Sequence, residues 1–71
     1  METWIDKTDK GYRLNVNFSD NPFMMTKDFD NELDAVTHDA IIWERELRYS
    51  KGISSELKTS DLGFTYTKKA N

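Results

Sequence analysis

One stretch constrains this chain more than any other. Residues 28–49, DFDNELDAVTHDAIIWERELRY, repeat their apolar side chains with a helical period and hold neither glycine nor proline. Phe29, Leu33, Val36, Ala40, Trp43 and Leu47 recur at steps of four, three, four, three and four. On a helical wheel these six fall within about 80° of arc, the width of a stripe that packs on a core. Asp28 is a suitable N-cap, Asp30 and Glu32 suit the first turn, and Gly52 is a stop signal with Arg48 and Lys51 beside the negative end. The chain is therefore expected to carry one long amphipathic helix starting from Asp28, with those six residues facing the core.

A chain of 71 residues can bury only about 60% of its unfolded surface, so one helix needs a sheet to rest on. The flanking sequence supplies strands. Residues 2–7, ETWIDK, are rich in β-formers, and residues 8–11 hold the Asp-Lys-Gly of a turn. In residues 12–19, Tyr12, Leu14, Val16 and Phe18 alternate with Arg13, Asn15, Asn17 and Ser19, the pattern of a half-buried strand. Asp20-Asn21-Pro22 interrupts it. Residues 23–27, FMMTK, read as a third short strand or an extended connector, residues 53–58 as a strand or one helical turn, and residues 62–68 as a strand. Ala70 and Asn71 are expected to fray. The reading is a single α+β domain over residues 1–71. It has a small antiparallel sheet of three to four strands packed on one amphipathic α-helix, in the order β-β-(β)-α-(β)-β.

The helix has a second apolar face. His38, Ile42 and Tyr49 lie opposite the stripe with Ala35, and Ile41 and Arg45 sit on the adjoining flank. A small sheet cannot wrap both sides of a helix. This face is thus exposed, covered by residues 53–66, or buried in an interface with another protein or a second copy.

The charge distribution narrows the choice of partner. The formal net charge is −3. Residues 1–44 hold ten acidic and four basic side chains, and residues 45–71 hold three acidic and six basic. Helix-dipole complementarity explains part of this polarity. An acidic surface that meets a basic partner explains it as well.

Signals for chemistry are sparse. With no cysteine, there is no disulfide scaffold and no thiolate metal site. His38 follows Asp34 by four residues but has no nucleophile elbow near it, and a solvated histidine fits the context better than a catalytic one. Asp34, His38 and Asp39 lack a third metal ligand at a telling spacing, and no glycine-rich phosphate loop is present. The expectation is a non-enzyme without cofactor or metal. The N-terminal segment has no secretory pattern, and no apolar run approaches the ~20 residues of a membrane span, so a cytoplasmic location is expected. Arg13, Tyr66, Lys68 and Lys69 would be the contact residues of a small nucleic-acid-binding module, although the net negative charge argues against one.

Residues 11–47 resemble the partial RNase-H-like domain of HicB-type antitoxins. The resemblance rests on an aromatic strand ending in the break Phe18-Ser19-Asp20-Asn21-Pro22, a short strand, and a helix opening over Asp28-Phe29-Asp30-Asn31-Glu32-Leu33. Phe23 holds the place of the family's glycine. In style the chain also resembles the small acidic host-takeover proteins of bacteriophages, which inhibit nucleic-acid enzymes, defence systems or toxins by occupying a basic or catalytic surface. Both resemblances imply a binding protein. The expected contact residues are Asp28, Asp30, Glu32, Asp34, His38 and Asp39 for charge, with Ile42, Arg45 and Tyr49 as anchors. The expected partner is a host protein with a basic surface, and a homodimer through the Ile42/Tyr49 face is the other arrangement.

Overall fold

The structure is a computed structural model that describes residues 1–54 and 59–69. Three strands come first: β1 (Glu2–Thr8), β2 (Gly11–Asn17) and β3 (Phe23–Phe29). The helix α1 (Glu32–Ser50) follows, then a 3-10 turn over Ser60–Leu62 and a last strand, β4 (Thr65–Lys68). The strands form one antiparallel sheet in the order β1-β2-β3-β4. This is the expected α+β architecture, with residues 23–27 resolved in favour of a strand. Within residues 62–68 only the last four are strand, because the 3-10 turn and left-handed Gly63 (φ 76°) take up the start. Residues 53 and 54 belong to no helix or strand; the rest of the 53–58 segment, and Ala70 and Asn71, lie outside the described residues.

The β1–β2 hairpin closes through the register Thr8↔Gly11, and Gly11 is there for a steric reason. A Cβ at this position would stand 2.2 Å from the Phe29 carbonyl oxygen, at a φ of 151°. Only glycine lets β3 come this close.

The strand alternation sorts side chains as expected. Leu14 and Val16 face the helix and are fully buried, together with Met25 from β3 and Ile42 from α1. Met1, Ile5, Phe18, Phe29, Leu62 and Phe64 pack around these four. The opposite face of the sheet is polar. There Asn15 is buried, donating to the Trp4 carbonyl (3.3 Å) and to the Asp6 carboxylate (3.1 Å).

Two expectations about the helix are corrected. The first is its start. Asp28 and Phe29 belong to β3, paired with Arg13 and Tyr12 of β2, and the cap is Asn31, whose side-chain oxygen accepts from the Asp34 backbone N–H at 2.9 Å. Asp28 leaves the capping role because it forms an ion pair across the sheet with Arg13, while the neighbouring Phe29 turns to the other side and meets the His38 ring at a tilt. The end is as expected: the helix stops at Ser50, and Gly52 adopts φ 75° while donating to the Tyr49 carbonyl.

The second correction is larger. The face that meets the sheet carries Ala35 and Ile42, both 0% exposed. The stripe expected to form the core points outward: Leu33 is 73% exposed, Val36 46%, Trp43 42% and Leu47 50%, with Ala40 exposed among them. Only Phe29, which is strand and not helix, keeps its place against the core. The reason is geometric. Only Asp30 and Asn31 separate β3 from α1, so the exit of the strand sets the rotational phase of the helix. In that phase the small Ala35 permits close approach to the sheet, and Ile42 fills the space among Leu14, Val16 and Met25.

Candidate functional site

The residues expected to make contacts divide into three groups. The first is an acidic end. The register Arg13↔Asp28 and Tyr12↔Phe29 brings the β1–β2 turn beside the β3–α1 link. Together they form a shallow, open depression of about 460 Å³ lined by Thr8, Asp9, Lys10, Arg13, Asp28, Phe29 and Asp30. Asp28 is held by Arg13 in a two-pronged contact, Nε–Oδ1 at 2.8 Å and Nη2–Oδ2 at 3.3 Å. The hydrogen bond from Arg13 holds the Asp28 carboxyl below the usual carboxylate range, and the same bond raises the guanidinium. Asp30, Glu32 and Asp34 follow, all exposed, with the Asp34 carboxylate accepting from the Asn31 amide at 3.0 Å.

The second group faces inward and serves the fold. Ile42 lies at the centre of the core, so it is no surface anchor, and the expected Ile42/Tyr49 dimer face is the one that packs on the sheet. Tyr49, near the end of that face, is exposed. His38 is half-buried, its ring 4.7 Å from that of Phe29 and its Nδ1 3.0 Å from the Asp34 carbonyl. Asp39 is half-buried too, with Oδ1 shielded from solvent. Arg45 makes a bidentate pair with Asp61 at 2.7 and 3.0 Å, which raises its pKa and ties α1 to the segment before β4. Lys27 makes a parallel tie, donating to the Leu62 carbonyl at 2.6 Å. These two ties hold the segment before β4 to α1 at Asp61 and to β3 at Leu62.

The third group is the set named for nucleic-acid contact, which the fold scatters. Arg13 stands on the polar face of the sheet with Asp28. Tyr66 pairs with Met25 on the helix-facing side, and its hydroxyl bonds Thr59 at 2.7 Å. Lys69 donates to the Phe18 carbonyl, and Lys68 is exposed at the end of β4. Arg13 thus lies on the opposite face of the sheet from Tyr66 and Lys68, which share one face of β4.

The exposed apolar surface that sequence reasoning missed is the outer stripe of α1 itself. The available signal was the coexistence of two stripes, of which the one with Ala35 opening it can approach the sheet closely at the start of the helix. Among the described residues, no group of three or more histidine or acidic side chains is placed to hold a metal ion. No helix among them is long and apolar enough to cross a membrane. Comparison with protein-family models, with curated proteins and with solved structures gives no match.

Proposed function

We propose that this is a non-enzymatic acidic binding protein, encoded by a phage or mobile element, that occludes a basic surface on a host protein in the cytoplasm. Nucleic-acid enzymes, defence systems and toxins are the partner classes with such surfaces. The observation that carries this reading is the depression at the acidic end. Two segments far apart in sequence place Asp9, Asp28 and Asp30 around a hollow large enough to seat an arginine or lysine side chain. Asp30, Glu32 and Asp34 extend the same charge onto the first turn of α1. Lys10 and Arg13 line the hollow too, and Arg13 is paired with Asp28, so Asp9 and Asp30 are the carboxylates that would attract a basic anchor. The order of three strands followed by a helix is also what the HicB-type resemblance implies, which supports placing toxins among the partner classes.

The test is affinity capture from a bacterial lysate with the tagged full chain, beside the variant Asp9→Asn/Asp30→Asn. One dominant protein should be retained, less so at higher salt, and largely lost with the variant. Capture that the variant and salt leave unchanged would reject the acidic end as the contact. Retention of nuclease-sensitive nucleic acid alone would reject the protein-binding reading.

A further inference from the structure

The sheet has two edges, and only one is guarded by its shortness. β4 closes one side with 4 residues, whereas β1 leaves 7 at the other. β1 pairs with β2 along its whole length without a bulge, glycine or proline. Among the described residues, nothing pairs with its far side. Such an edge is a template for another strand. The hairpin decides which residues offer their backbone. Its tight turn makes Thr8 and Gly11 a hydrogen-bonded pair, so Asp6 and Trp4 also turn N–H and C=O toward β2. The Asn15 amide, which reaches the Trp4 carbonyl at 3.3 Å, agrees with this. Thr3, Ile5 and Lys7 therefore point theirs away from the sheet.

Side chains flank this edge on both sides. On the open face of the sheet, Trp4 is exposed between Glu2 and Asp6, and its indole N–H donates to the Asp6 carboxylate at 3.2 Å. On the helix side, the Trp43 indole N–H donates to Thr3 Oγ1 at 2.9 Å, while Arg45 on the opposite flank of α1 is tied to Asp61. The apolar stripe thus leans to the β1 side of the helix. Val36 and Leu47 project within about 40° of Trp43 on the helical wheel. All three are exposed. A strand added to β1 would set one row of side chains beside Trp4 and the other beside this stripe.

We propose that the free edge of β1 takes an extended segment of a partner protein as a fifth, antiparallel strand, with basic side chains beside Trp4 and apolar ones beside the stripe of α1. The charges around the edge favour a basic strand. Glu2 and Asp6 stand on β1, and Glu32, Asp39 and Glu46 stand on the flank of α1 that faces it. Against them are the Met1 amino group and Lys7, whose ammonium lies over the Tyr12 ring and so leans inward. Arg13, one strand in, is held by Asp28. An arginine or lysine on the Trp4 side would meet an indole face with a carboxylate to either side. A second copy of β1 fits less well. Centred on Trp4 it sets Glu2 against Asp6, and centred on Ile5 it brings the two Asp6 side chains onto one diagonal. Residues Thr3 to Lys7 do not line the depression at the acidic end, so the edge does not depend on what that depression binds.

The probe is a capped heptapeptide that alternates arginine with valine, titrated into the isotope-labelled full chain by NMR. Saturable shifts should appear at the Thr3, Ile5 and Lys7 amides and at both indole N–H groups, with exchange of the three amides slowed about tenfold. Glutamate in place of arginine, or serine in place of valine, should each weaken binding about tenfold. An antiparallel strand directs only its valine N–H groups at β1, so N-methylation of the valines should weaken binding about tenfold and N-methylation of the arginines hardly at all. The variant Asp9→Asn/Asp30→Asn should bind the peptide as the parent does. Absence of saturable shifts along β1, equal binding by all these peptides, or loss of binding in that variant overturns the proposal. Sedimentation equilibrium of the chain alone should give a mass of 8.3 kDa. A doubled mass with the β1 amides already protected would give the edge to a second copy and overturn the partner strand.

Discussion

The two long faces of α1 both carry apolar residues and meet opposite fates. The inner face holds Ala35, His38, Ile42 and Arg45, and each has a place: Ile42 in the core, His38 on the Phe29 ring, Arg45 on Asp61. The outer face holds Leu33, Val36, Ala40, Trp43 and Leu47, and Trp43 is tied to β1 through Thr3. The more hydrophobic of the two faces is the one in solvent. A helix side is thus chosen by fit to the sheet and by the phase that a two-residue link imposes, and hydrophobicity alone does not choose it.

The sharpest way to break this contrast is at Ile42. Ile42→Ala should cost about 2–5 kcal/mol by removing a buried side chain and leaving a cavity. That is most of the stability a domain of this size has, so urea denaturation should show loss of the cooperative transition or a large fall in its midpoint. Ile42→Asp should not fold at all. A well-folded Ile42→Asp variant would mean that the inner face is the outer one.

The cap comes next. Asn31→Ala removes the acceptor for the Asp34 N–H and should cost about 1 kcal/mol in the same denaturation experiment. An equal loss with Asp28→Ala would return the helix start to Asp28.

On the outer face the expected effect is smaller still. Leu33→Ser/Leu47→Ser, measured at dilutions where association is negligible, should alter folding stability by no more than about 0.5 kcal/mol per site. A loss of several kcal/mol at high dilution would show that the stripe is covered within one chain.

The smallest effect lies away from the helix, at the exposed Arg13–Asp28 pair. The folded-state pKa of Asp28 is depressed, so what the pair contributes is present above the unfolded-state value and is lost as pH falls through the folded one. Arg13→Gln should move the Asp28 titration, followed by carboxyl ¹³C shifts, up toward the ordinary carboxylate range. With both side chains open to water, stability should hardly change.

Much of this fold is legible in the residues alone. Alternation over Tyr12, Leu14, Val16 and Phe18 defines a half-buried strand whatever surrounds it, because side chains of a strand point to opposite sides by covalent geometry. Gly11 and Gly52 mark a hairpin and a helix end through the conformations that only glycine adopts freely. The period of residues 33–49 specifies a helix through 3.6 residues per turn. The acidic segment that opens α1 is equally plain as composition. Which stripe of that helix turns inward was not written in any local pattern, since both stripes satisfy the period. That depended on where β3 ends, on how closely Ala35 lets the helix approach, and on the space among Leu14, Val16 and Met25. The meeting of Asp9 with Asp30 depended likewise on the pairing of β2 with β3. Local backbone preferences therefore determined the elements and their boundaries to within a few residues. Tertiary packing decided which faces are hidden, because burial depends on volumes and distances that arise only when the elements meet.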